Sequence, residues 1–157
     1  GIIMAKREGT APAMTILVSA CLLGENCKYN GKNNRSEALL RRLQGHTVVP
    51  VCPEVLAGLG TPRPCVELQN GRAVDCSGRD VDAAFRAGVQ KALQAIAGRH
   101  IDLAVLQSRS PTCGVKQIYD GSFSKRLIDG QGMLAAALQA QGVPLLDVED
   151  LDQSTAL

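Results

Sequence analysis

Aromatic side chains are nearly missing from this sequence: no tryptophan, two tyrosines and two phenylalanines among 157 residues. The core must therefore be filled by Val, Leu, Ile and Ala. A platform of aromatic and basic residues on which strung-out bases stack is not visible. Neither sign of charge dominates, since 17 Lys and Arg stand against 15 Asp and Glu. A groove that tracks phosphates needs a concentrated positive field, so an extended nucleic-acid partner is not indicated. No run approaches the roughly 18 apolar residues of a membrane span. Lys6 and Arg7 ahead of Met14 to Cys21 loosely imitate a lipoprotein signal. Glu8, Gly9, Thr10 and Pro12 break its apolar stretch, and the chain stays apolar after Cys21. The expectation is a disordered lead over residues 1–13, partly an expression remnant, then a single domain over residues 14–157.

What the chain does have is cysteine, six in all. Secreted domains that pair so many thiols are usually smaller and richer in loops, whereas this one has the composition for a good aliphatic core. Reduced thiols in the cytoplasm are the expectation. Cysteines in that setting more often bind metal or do chemistry.

Four apolar runs, Thr15–Ala20, Thr47–Val51, Ile101–Leu106 and Val143–Val148, have the length and β-branched content of strands. Their continuity suits parallel strands covered on both faces. Helical spacing fills the intervals: Ser36 to Gln44 closed by Gly45, Asp80 to about Ala97 closed by Gly98, and Met133 to Gln141 closed by Gly142. Strands alternating with helices predict a small α/β doubly wound, mainly parallel sheet with helices on both faces. Asn70-Gly71 between two short alternating runs predicts an inserted β-hairpin with a type I′ turn. Counting outward from that turn sets Cys65 opposite Cys76. The pair reads as two half-buried thiols, or else as a cross-strand disulfide or two ligands.

In such sheets ligands sit beyond the carboxyl ends of the strands. Cys21 follows the first strand, Cys52 the second, and Cys113 the third after a short loop. Three thiols at three strand ends, each beside Gly or Pro, point to one metal centre over three buried thiols that merely pack, although the compact spacings of zinc fingers and ferredoxins are missing. Three thiolates on a four-iron cubane leave one iron free as a Lewis acid. Glu54, two residues past Cys52, is placed to move a proton or, alternatively, to interact with the start of a helix. Ser110, three before Cys113, either donates to a developing anion or serves its turn. Arg63 and Arg109 orient a substrate or brace loops, the brace being the simpler reading. Cys27 lies in the loop after Cys21. His46 and His100 precede strands at their amino ends, away from the crevice. A three-thiolate zinc hydrolase and a non-catalytic sulfur or iron–sulfur carrier are the rival readings.

Taken together, Ser19-Ala20-Cys21-Leu22-Leu23-Gly24, Cys27-Lys28-Tyr29-Asn30-Gly31, Pro50-Val51-Cys52-Pro53-Glu54-Val55 and Thr61-Pro62-Arg63-Pro64 resemble the bacterial thiouracil desulfidases. Gly78-Arg79-Asp80-Val81, Ser108 to Gly114 and Tyr119-Asp120-Gly121-Ser122-Phe123 extend the likeness from about Ile16 to Glu149. The resemblance implies a [4Fe-4S] cluster on Cys21, Cys52 and Cys113. It also implies non-redox removal of sulfur from a small thiolated pyrimidine such as 2-thiouracil, giving uracil and hydrogen sulfide. Glu54 would be the acid–base residue and Ser110 a substrate or proton-relay contact. Cys27, Cys65 and Cys76 carry over no role. Longer relatives that act on 4-thiouridine have a further domain, so free bases or small nucleosides are the expected substrates. Neither the ring position of the sulfur nor the oligomeric state follows from these residues.

Overall fold

A computed structural model describes residues 12–157 and the strand Ile2–Ile3. The expected lead over residues 1–13 lies mostly outside the described residues, although Ile2–Ile3 pairs as a strand. In chain order the elements are β1 (Ile2–Ile3), β2 (Thr15–Ser19), α1 (Glu37–Arg42), β3 (Thr47–Val51), α2 (Pro53–Leu56), β4 (Val66–Gln69) and β5 (Arg72–Asp75). They continue with α3 (Asp82–Ala95), β6 (Leu103–Leu106), β7 (Gln117–Tyr119), β8 (Leu127–Asp129), α4 (Met133–Ala140) and β9 (Leu145–Asp147). The central sheet has the order β1-β3-β2-β6-β9; β1 is antiparallel at its edge and the other four strands are parallel.

The apolar runs form these strands because both faces of the sheet are covered. Leu17, Val49, Val51, Ala104 and Leu106 point to one side, against Val89 and Ala92 of α3, Ile96 just beyond it, and Leu134 and Leu138 of α4. Ile16, Val18, Val48, Leu103 and Val105 point to the other, against Leu39 of α1 and Leu43 just beyond it. Such sheets are doubly wound, and the order of the parallel strands reverses direction between β2 and β6. That reversal opens a crevice at the carboxyl end of the sheet.

The Asn-Gly hairpin forms as expected, with Asn70 at φ 47° and Gly71 at φ 85°, both in the left-handed region. It leans on α3 through Leu68, Ala73 and Phe85. The helix expected to start at Asp80 starts at Asp82. Asp80 does not cap α3: Val81 holds that position, while the Asp80 carboxylate accepts the Asp82 N–H at 2.9 Å. A second antiparallel hairpin, β7–β8, was not anticipated, because its strands are three residues long and Leu127–Asp129 is exposed throughout.

Helix α3 approaches α2 so closely that a Cβ on Gly88 would lie 2.1 Å from the Pro53 carbonyl oxygen. Gly132 stands in the same way against Thr112 and Cys113, where a Cβ would meet backbone at 2.4 to 2.8 Å. Both glycines therefore set the position of a loop at the rim of the sheet. Among the described residues no helix is long and apolar enough to cross a membrane.

Candidate functional site

Three strand ends deliver the expected thiols. Cys21 lies in a 3-10 turn, Ala20–Leu23, immediately after β2, and Gly24 closes that turn at φ 99°. Cys52 is the residue before α2, in extended backbone, with Pro53 starting the helix. Ser19 and Val51 are register partners, so these two cysteines leave the sheet at the same height. Cys113 sits in the loop after β6 and is buried. Its N–H donates to Ser110 Oγ at 3.0 Å. The Gln107 N–H donates to Ser19 Oγ at 2.9 Å, tying the end of β6 to that of β2.

All three cysteines line one cavity of about 660 Å³, and so do Cys27, Cys65 and Cys76: every thiol of the chain faces the same space. All six are free. Neighbouring thiols and burial raise Cys27, Cys52 and Cys113. Cys27 is pushed up to about 11, first by its hydrogen bond with the Cys21 thiol. Cys52 is pushed far up by its hydrogen bond with Cys27 and by burial, and Cys113 to about 11 by burial. Clustered thiols of this kind become thiolates when a metal supplies the missing positive charge. Among the described residues no three His, Cys, Asp or Glu side chains are disposed to share a single metal ion. Three thiols from separate loops on one cavity are a donor set that an iron–sulfur cluster takes, one iron to each thiolate.

Glu54 projects from the first turn of α2 and is mostly buried. One carboxylate oxygen, Oε1, accepts from Arg63 Nη2 at 3.3 Å, and the other, Oε2, accepts from Thr112 Oγ1 at 3.2 Å. Arg63 is also buried, with 7% of its side chain exposed. It donates to the carbonyls of Cys27 at 2.9 Å and Gly60 at 3.2 Å, so it braces two loops while it holds the carboxylate. Its Nε and Gln107 Oε1 are buried without partners in the cavity wall. Unpaired buried groups are rare enough to mark a place where a ligand pairs them.

Ser110 is turned toward its own loop. Its Oγ accepts the N–H groups of Thr112 and Cys113 at 3.1 and 3.0 Å, which uses both lone pairs. Its hydrogen is thereby left for Thr112 Oγ1, 3.1 Å away. Thr112 was not singled out from the sequence. Nothing in its spacing ties it to Glu54, and only the fold brings the two together. Arg109 reaches outward to Glu149 at 3.0 Å, at a backbone φ of 62°. The histidines stay away from the site: His46 is buried and accepts the Met14 N–H at 2.9 Å, and His100 is exposed, 3.0 Å from Asp102. Cys65 and Cys76 stand opposite one another, the Cys76 N–H donating to the Cys65 carbonyl at 2.9 Å.

Both hairpins contribute residues to the cavity wall, Val66 and Glu67 from one and Tyr119, Phe123 and Lys125 from the other. Glu67 of β4 accepts, through Oε1, the N–H groups of Gly121 and Phe123, each at 3.0 Å. Gln69 Nε2 donates to the Gly121 carbonyl at 2.9 Å. A Cβ on Gly121 would meet Leu68 O at 2.8 Å, so glycine is what lets the two backbones touch. Phe123 is held at φ 57°, a conformation that costs about 1–3 kcal/mol for a bulky residue.

Residues 16–150 match the family of 2-thiouracil desulfurases. A Bacillus subtilis (strain 168) protein, the uncharacterized YbbK, is 34% identical over 147 residues, which span 87% of this chain and 97% of the relative. A solved structure, that of the [4Fe-4S]-dependent thiouracil desulfidase TudS, superposes with a TM-score of 0.79 at 36% identity. That match covers 89% of this chain and 94% of the other.

Proposed function

Because this chain belongs to the 2-thiouracil desulfurase family, we propose that it exchanges the thiocarbonyl sulfur of a 2-thiouracil-like pyrimidine for the oxygen of water. The products are the oxo base and hydrogen sulfide. One observation carries the reading: Cys21, Cys52, Cys113 and the carboxylate of Glu54 line a single cavity. A [4Fe-4S] cluster held by those three cysteines supplies, when bound, an open iron position that acts as a Lewis acid toward the sulfur. The cofactor dependence of TudS supports this assignment.

The remaining work belongs to side chains. Glu54 takes a proton from water as the water oxygen attacks the thiocarbonyl carbon. It returns that proton to sulfur as the carbon–sulfur bond breaks, and the hydroxyl proton of the intermediate follows, so both water hydrogens leave on sulfide, the oxygen stays on carbon and no electron donor or acceptor is needed. Positioned proton transfer of this kind contributes roughly 10²–10⁴-fold in rate. Arg63 and Thr112 fix the two carboxylate oxygens, which keeps the base aimed before substrate arrives. Ser110 acts through Thr112, as a relay contact. Arg109 bonds to Glu149, which supports a bracing role over a substrate contact. Six free thiols fit a reducing compartment, the cytoplasm.

The test is anaerobic reconstitution with iron and sulfide, then assay with 2-thiouracil and 4-thiouracil. Uracil and sulfide released in equal amounts, without added reductant, are expected. A loaded protein that turns over neither base ends the proposal.

A further inference from the structure

Four aromatic residues occur in the chain, and only Phe85 is spent on the core. Tyr29, Tyr119 and Phe123 all line the cavity that gathers the thiols. Burial would normally draw such side chains inward, most of all in a protein with so few. Phe123 is the most informative of them. It is half-buried in a stretch where Ser122, Ser124, Lys125 and Arg126 are exposed. Its backbone is held in the left-handed region, where a bulky residue stays only when its surroundings demand it.

Those surroundings are specific. Glu67 accepts the N–H groups on either side of Ser122, Gln69 grips the Gly121 carbonyl, and Asp120 accepts both the N–H and the hydroxyl of Ser122. Two hairpins that share no sheet are thus joined at one point, and what the joint presents to the cavity is a phenyl ring.

We propose that Phe123, with Tyr119 at the base of the same loop, is the platform on which the flat face of a conjugated pyrimidine stacks. Glu67 is the positioning residue that holds the platform in place. The inference deepens the function proposed above and takes its substrate class from it. Discrimination then rests on ring planarity, because a stacked contact reads a flat, fully conjugated face, which saturation at C5 and C6 interrupts and puckers.

The test uses anaerobic, cluster-loaded protein and two unreactive probes, uracil and 5,6-dihydrouracil, with binding followed by calorimetry. Wild-type protein is expected to prefer uracil. Phe123→Leu should weaken uracil roughly ten-fold, the scale of one lost stacking contact, and leave dihydrouracil nearly unchanged. Phe123→Tyr, which keeps a ring, should keep the preference. Equal weakening of both probes by Phe123→Leu, no weakening of either, or no uracil binding by the wild type would overturn the proposal. Should Phe123→Leu lose iron or fold, Glu67→Ala decides instead. It leaves the ring but frees the loop, and an undiminished uracil preference there would likewise overturn it. Sulfide release from 2-thiouracil by the wild type is scored separately. A stacking effect without sulfide release condemns the reaction and spares the platform, and sulfide release without a stacking effect does the opposite.

Discussion

Thr112 donates its hydroxyl to Glu54 across 3.2 Å, joining the loop after β6 to helix α2, 58 positions earlier in the chain. The same hydroxyl accepts from Ser110, whose own lone pairs are taken by backbone N–H groups. The three oxygens therefore have one consistent direction of donation, ending on the carboxylate.

Replacing Thr112 by Val removes that donor while nearly keeping its volume. Turnover of 2-thiouracil should fall about 10- to 100-fold, the scale on which small misplacements of a reacting group are felt. KM should stay within about two-fold, because Thr112 holds the base and does not hold the ring. Thr112→Ser should recover most of the rate. Steady-state kinetics on protein of equal iron content checks both. A Val variant as fast as the Ser variant would mean that the hydroxyl has no part in the reaction.

Each of Cys21→Ala, Cys52→Ala and Cys113→Ala should lose bound iron and sulfide together with turnover, because in the proposed cluster each thiolate would secure a separate iron. Cys76→Ala, on the exposed strand end of the hairpin, should keep the visible absorption of the loaded protein. Iron and sulfide analysis of the four variants, loaded side by side, separates cluster ligands from bystanders.

Gly88→Ala sets two effects against each other. Alanine is the better helix former by about 1 kcal/mol. The added methyl, however, falls 2.1 Å from the Pro53 carbonyl oxygen, which is backbone and has little room to yield. Overpacking of this sort costs roughly 1–3 kcal/mol, so a net loss of stability is expected. Because Pro53 carries Cys52 and Glu54 on either side, turnover should fall too. Denaturant unfolding and the sulfide assay give the two readouts; a variant more stable than wild type would show that α2 shifts freely.

The Asp75 carboxyl is held below its usual range, chiefly by the Ser77 hydroxyl at 2.6 Å and then by the Arg79 N–H at 3.0 Å. A depressed carboxylate stabilises the fold above its unfolded value of about 3.9, and the gain is lost as pH falls through the lower folded value. The stability gap between wild type and Asp75→Asn should therefore be wider at about pH 6 than at about pH 3. Urea unfolding at the two pH values measures it. A gap that widens on acidification would reverse the sign and remove Asp75 as an acid-sensitive tie of the first hairpin.

The parallel strands could be read in the chain because burial on both faces leaves them almost purely apolar, as in Leu103–Leu106. The thiols could be read because Cys21 and Cys52 follow their strands so closely. Helix ends marked by Gly45, Gly98 and Gly142 were equally plain, since a left-handed residue must close each one. The second hairpin could not be read, because nothing apolar distinguishes the exposed segment Leu127–Asp129. Thr112 stayed hidden because a hydroxyl has no sequence pattern until a partner arrives from another loop. The gathering of Tyr29, Tyr119 and Phe123 was invisible for the same reason: scattered positions carry no period, and an aromatic-poor composition argued against any stacking surface at all.

The sheet rim and the paired hairpins divide the labour of the cavity. The cysteines and Glu54, to which the chemistry is assigned by proposal, leave from the parallel sheet and its glycine-packed loops, whereas the wall carrying Phe123 hangs on surface hairpins that meet through Glu67 and Gln69. A change confined to the two ribbons would therefore alter which rings the proposed platform admits and leave the sheet rim, with its cysteines, where it is.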